Sequence, residues 1–166
     1  MPTKTNAKAV ESLKTNEKKW SKPLMDAGWT ALPSVIVENQ RQLDLSPLDM
    51  NIILYLASKW WKAEGKPYPS KGTMAKAMGV HPRTIQKHIA AMQAAGYITR
   101  EERRTPTGSQ TNIYHLDGLI ESVLPFAEEK LEEIEGRKAR EVARRNRRGA
   151  PKRSLKLVHN KDDSDE

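Results

Sequence analysis

The chain has 166 residues, with 29 Lys and Arg against 21 Asp and Glu, a formal net charge of +8 and no cysteine. That length suits one domain of ordinary size with arms and excludes two large domains, and the missing thiols exclude disulfide frameworks, thiolate zinc sites and cysteine nucleophiles. A pI near 9.7 with a mean hydropathy of −0.76 points to a polyanionic partner such as nucleic acid and away from the membrane interior.

Residues 1–26 hold six lysines and sparse apolar positions, which predicts a basic flexible arm or frayed helix able to graze phosphates. No continuous apolar run marks a signal peptide or membrane span there, so the expectation is a cytoplasmic protein. In GWTALPSVIV, Pro33 opens a short helix carrying Val35, Ile36 and Val37, and Trp29 is expected on the core. The run Ser46, Pro47, Leu48, Asp49 starts a helix with a hydroxyl cap, a first-turn proline and a carboxylate near the helix dipole. Leu48, Ile52, Ile53, Leu56 and Trp60 recur every three to four residues, which predicts a scaffold helix reaching about Trp61.

After a loop containing Gly65, Pro67 and Pro69, the segment SKGTMAKAMGVHPRTIQKHIAAMQAAGYITR reads as helix, tight turn and longer helix. Ser70 caps the first helix, Ala75 permits a close crossing, Gly79 supplies positive φ in the turn, and Pro82 and Gly96 bracket the second helix at about 82–95. This is the pattern of a helix-turn-helix. Tyr97 to Thr99 and Thr111 to Leu116 are rich in β-branched and aromatic residues and flank a polar stretch from Thr105 to Gln110, which predicts a β-hairpin wing. Beyond it, Ile120, Leu124, Ala127, Leu131 and Ile134 are spaced 4, 3, 4, 3, the seam of a two-helix contact. The seam either joins two subunits or docks on the scaffold helix, and Pro125 kinks or restarts its helix. From Arg137 to Arg153 there are nine basic residues and one acid, after which the acidic tail is expected to be disordered.

With Ile85, Ile89 and Met92 inward, a helix starting at Pro82 turns Arg83 and Lys87 outward, flanked by Thr84 and Gln86. Arg83 suits a bidentate contact to guanine and Gln86 to adenine, while Thr84 and Lys87 suit phosphate; the alternative is an ordinary solvated helix face. Ser70 and Lys71 open the preceding helix, where backbone N–H groups favour a phosphate, although Ser70 can equally be only a cap. In the wing, Arg103, Arg104, Thr107, Ser109 and Gln110 suit backbone or minor-groove contact, or plain surface charge. Arg144, Arg145, Arg147 and Arg148 either extend along the phosphate backbone or meet an acidic partner. Trp20, Trp29, Trp60 and Trp61 suggest stacking on unpaired bases, against the commoner role of core or core-rim residues. The four histidines lack carboxylates at ligand spacing, and neither SKGT nor EGKP forms a phosphate-cradling loop, so no metal, nucleotide or other cofactor is implied. No paired carboxylates or Ser-His-Asp set can be nominated, so an enzyme is not expected.

The runs GWTALPSVIVENQ, LSPLDMNIILYLASKWW, YPSKGTMAKAMGVHPRTIQKHIAAMQAAGYI and TNIYHLDGL resemble the winged helix-turn-helix proteins carried by plasmids, phages and other mobile elements, over roughly residues 28–124. Two features depart from that pattern: His81 and Pro82 stand where a serine cap is common, and the arginine-rich helix past Glu135 lies outside the match. The resemblance implies a mainly α fold with a small β-hairpin, and DNA binding more firmly than any one role. The expected organisation is an arm over 1–26, a winged helix-turn-helix domain over 27–118, a C-terminal helix for dimerisation or docking over 119–148, and a tail over 149–166. The corresponding function is a sequence-specific, nucleoid-associated bacterial regulator, a repressor on a mobile element, binding double-stranded DNA as a homodimer or a monomer. The alternatives are a replication initiator or accessory factor with a replication or transcription protein as partner, and a non-specific architectural protein.

Overall fold

Ser46 starts the scaffold helix α4 (Pro47–Ser58) through a reciprocal capping box: its hydroxyl accepts from the Asp49 N–H at 3.2 Å, and the Asp49 carboxylate accepts from the Ser46 N–H at 2.9 Å. Ile52, Ile53 and Leu56 on this helix are buried. The helix stops at Ser58, short of the expected Trp61, because the N–H groups of Lys59 and Trp60 fold back in tight three-residue turns onto Leu56 and Ala57. Trp60 still packs on the core, but from the following loop.

The computed structural model describes residues 4–62, 64–105, 108–109 and 111–149. Before α4 come α1 (Lys4–Trp20), α2 (Lys22–Asp26) and α3 (Ser34–Glu38). The lysine-rich start is thus helical from Lys4, and α3 buries Val35 and Ile36. Trp29, expected on the core, is instead 49 % exposed, because Leu32, Val35 and Ile36 fill the inward positions of that segment. After α4 come α5 (Lys71–Met78) and α6 (Pro82–Ala94), joined through Gly79 at φ 67°, the left-handed geometry that glycine adopts without strain. Met74 and Ala75 from α5 and Ile85, Ile89 and Met92 from α6 close over the buried face of α4. Gly96 ends α6 at φ 82°, with the Gly96 N–H on the Gln93 carbonyl and the Tyr97 N–H on the Met92 carbonyl, a Schellman motif.

The wing consists of β1 (Thr99–Glu101) antiparallel to β4 (Ile113–His115), with Arg100 opposite Tyr114, and of β2 (Arg104–Thr105) antiparallel to β3 (Gly108–Ser109) nearer the tip. The fold is therefore mainly helical with a small antiparallel hairpin, followed by the long helix α7 (Asp117–Gly149). That helix begins at Asp117, directly after the last strand, and runs through Pro125 without restarting.

The chain divides into a unit ending at Ala127 and a second beginning at Glu128. In the first, α7 docks through Leu119 and Val123, with Phe126 and Ala127 partly buried behind them. The docking is close: the Leu119 N–H donates to the Tyr97 carbonyl at 3.0 Å, and a Cβ on Gly118 would stand 1.9 Å from the Gly96 carbonyl oxygen. Of the seam read from spacing, Ala127 packs against the core whereas Ile120 and Leu124 are exposed, so docking onto the chain's own core uses mainly the neighbouring row. In the second unit Leu131 is exposed and Ile134 half-buried.

Candidate nucleic-acid interface

Helix α6 buries one stripe and leaves Arg83, Gln86, Lys87 and Ala90 exposed with Thr84 half-buried, as a repeat of 100° per residue dictates once Ile85, Ile89 and Met92 face inward. Its start is capped by an imidazole: His81 Nδ1 accepts from the Arg83 N–H at 3.2 Å, followed by Pro82 in the first turn. The aromatic ring thus substitutes for the serine hydroxyl common at this point, and the acceptor role requires Nδ1 to be unprotonated.

The rotation of α6 is held by a polar contact that spacing alone does not reveal. Asp49 is buried; one carboxylate oxygen serves the α4 capping box, and the other lies 2.8 Å from His88 Nδ1. One carboxylate thereby ties the start of the scaffold helix to the middle of α6. His88 also joins Arg83, Thr84, Gln86 and Lys87 around an open depression of about 640 Å³ on the outer face of α6. Among the described residues no carboxylate pairs with Arg83 or Lys87, so their charge faces solvent and is available to an anion.

Two neighbouring elements border this face. At the start of α5, the Ser70 hydroxyl accepts from the Thr73 N–H at 2.9 Å, so it does serve as a cap, and Lys71 Nζ donates to Gln86 Oε1 at 3.2 Å. Lys71 thus links the first turn of α5 to the exposed row of α6. In the wing, Arg103 is part of the hairpin's own scaffold: Nε donates to the Thr111 carbonyl at 3.1 Å, Nη2 to the Thr111 hydroxyl at 3.3 Å, and the guanidinium lies 4.9 Å from the Tyr68 ring centroid. Arg104 and Ser109 lie in β2 and β3, whereas Thr107 and Gln110 fall outside the described residues. Arg144, Arg145 and Arg147 are exposed on α7, which also carries Arg148. The tryptophans depart from the expected core role: Trp20, Trp29 and Trp61 are all exposed, and only Trp60 packs on the core. No described helix is long and apolar enough to cross a membrane.

Among solved structures, the N-terminal domain of the DnaD protein from Geobacillus kaustophilus is similar at 16% identity and a TM-score of 0.50, covering 71% of this chain and 96% of that one. That likeness is one of fold. A DNA complex of MepR from S. aureus matches at 15% identity, TM-score 0.40 and coverage of 68% and 88%, and a transcriptional regulator from Thermotoga maritima at 22%, 0.38 and coverage of 69% and 82%. No curated protein matches this chain. Residues 43–98, which span α4, α5 and α6 and end at the foot of the wing, match the family model described as a helix-turn-helix domain.

Proposed function

We propose that this protein is a DNA-binding transcriptional regulator that reads duplex DNA through α6, with Arg83 and Gln86 on base edges and Thr84, Lys87, Ser70 and Lys71 on phosphates. The observation that carries the reading is the exposed cationic row of α6, unpaired among the described residues and presented by a segment that matches a helix-turn-helix domain. The wing residues Arg104, Thr107, Ser109 and Gln110 add backbone contacts in this reading, while Arg103 stiffens the hairpin that carries them. Arg144, Arg145, Arg147 and Arg148 contribute sequence-independent attraction. The regulator acts as a repressor on a mobile element, a role consistent with the resemblance carried by residues 28–124.

A second copy of the chain belongs to this reading. Ile120 and Leu124 in one unit and Leu131 in the other are exposed apolar residues on α7, while the row beside them serves the core. A two-fold pair of α6 helices would read half-sites one DNA turn apart, roughly 34–36 Å.

Footprinting on DNA flanking the gene at two salt concentrations tests the whole. A protected inverted repeat supports the dimeric regulator. Arg83→Ala with Lys87→Ala should abolish preference for the protected site; unchanged binding to every sequence by that variant would instead mark a non-specific architectural protein.

A further inference from the structure

A cleft of about 420 Å³ opens between the end of α4, the loop that follows it and the first turn of α5, walled by Tyr55, Lys59, Trp61, Lys62, Tyr68 and Thr73. Its volume falls within the roughly 300–1,000 Å³ range of small-ligand clefts. Two aromatic rings stand open in it: Trp61 is 71 % exposed and Tyr68 59 % exposed. The Trp61 ring rests against the backbone at Gly28, where a Cβ would meet Cη2 at 3.5 Å, and the Arg103 guanidinium lies over the Tyr68 ring. Exposed aromatics occur singly on most proteins, but two rings sharing one cleft offer a stacking platform.

The charge around the cleft selects the ligand. Lys59 sits 5.5 Å from the Tyr55 ring centroid and Lys62 lines the wall, and among the described residues neither pairs with a carboxylate. Lys66 is engaged by Asp117 at 3.3 Å and by the Trp60 ring at 4.5 Å, and the same loop carries Glu64. Open π-faces beside uncompensated cations fit a planar base tethered to a phosphate. The first turn of α5 connects this cleft to the α6 face, since Thr73 lines the one and Lys71 reaches Gln86 on the other.

We infer that the Trp61–Tyr68 cleft binds unpaired single-stranded DNA, stacking bases on the two rings and placing phosphates against Lys59 and Lys62. The site shares no base-reading residue with α6 and stands or falls separately from the duplex reading.

The test uses the full chain and an oligothymidylate of about ten nucleotides, within the usual site size for one stacking surface. Trp61→Ala and Tyr68→Ala should each weaken oligothymidylate binding by about tenfold, within the contribution of one stacked base, and Trp61→Ala, which touches neither α6 nor the wing, should leave duplex binding unchanged. Trp61→Phe should keep most of the affinity yet lose the quenching of tryptophan fluorescence that the oligomer produces in the native protein. Arg83→Ala should leave single-strand binding intact while impairing the duplex, so failure of either site is visible without the other. An abasic deoxyribose-phosphate oligomer that binds as tightly as oligothymidylate, or a Trp61→Ala protein with native single-strand affinity, would overturn the inference. Thymidine monophosphate binding as tightly as the oligomer would overturn it in favour of a free nucleotide. Competition by a poly-glutamate peptide equal to that by oligothymidylate would overturn it in favour of an acidic protein segment.

Discussion

Asp49 carries more of the site than its place in a helix cap suggests. Its carboxylate is buried, and removing the imidazole at His88 would leave one oxygen without the 2.8 Å partner that reaches it from α6. A buried acceptor deprived of its partner costs about 1–3 kcal/mol, so His88→Ala should lower stability to urea by that amount, whereas His88→Asn, which retains a donor, should lose less. Duplex affinity should fall in the same order, because the contact fixes the rotation of Arg83 and Lys87. Equal loss in both variants would show that ring packing, not the hydrogen bond, matters. Gly118 makes a sharper case of steric necessity. A Cβ there would lie 1.9 Å from a backbone oxygen, which no side-chain rearrangement can relieve, so Gly118→Ala should destabilise by at least the roughly 1–3 kcal/mol typical of overpacking. Gly136 has nothing within 4 Å of its own Cβ position and lies inside α7, so Gly136→Ala should instead stabilise the helix by about 0.5–1 kcal/mol. Thermal melts of the two alanine variants should therefore move in opposite directions.

At the scale of elements, what could be read in advance was whatever local chemistry decides. The caps Ser46 and Ser70, the glycines at 79 and 96 and the apolar stripe of α6 each act within four or five residues, and the helices lie where those signals put them. The outward row of α6 follows from the same periodicity. The inward face of α7 was not legible, because Leu116, Leu119 and Val123 recur at helical spacing just as Ile120, Leu124 and Leu131 do. The choice between those rows is made by Gly118 approaching Gly96 and by the Leu119 bond to Tyr97, contacts between segments some twenty residues apart. Asp49 and His88 are 39 positions apart, and the Trp61–Tyr68 cleft depends on the path of a loop, so neither had a periodic signature. The wing also contributes a titratable group. Burial raises the Tyr114 phenol above its ordinary value, an effect partly opposed by Arg100. A folded-state value above the unfolded one, near 10, leaves stability complete below about pH 10 and erodes it as pH rises through the folded value. Tyr114→Phe should remove this component and make unfolding less steep above about pH 10, as followed by circular dichroism; an unchanged alkaline limb would assign the loss to other groups.

For the molecule as a whole, the charge excess is concentrated rather than spread: the nine basic residues and one acid between Arg137 and Arg153 have a local balance of +8, equal to that of the entire chain. Arg144, Arg145 and Arg147 are exposed and lie in the unit that begins at Glu128, whereas Arg83 and Lys87 lie in the unit that holds the helix-turn-helix segment. In the proposed reading this arrangement separates two kinds of affinity. Phosphate contacts release counterions and make binding salt-dependent without choosing a sequence, while base contacts choose a sequence and add little to the salt slope. Replacing Arg144, Arg145 and Arg147 by Gln should reduce the slope of log affinity against log salt by up to about 0.9 for each phosphate no longer neutralised, with the ranking of DNA sequences preserved. Arg83→Ala should do the reverse, flattening the ranking by about 1–3 kcal/mol at one base pair while leaving the slope nearly intact. Titrations of specific and scrambled duplexes at several salt concentrations measure both quantities at once. A changed sequence ranking in the triple Gln variant would mean that the second unit reads bases, and the division of labour between the two units would have to be abandoned.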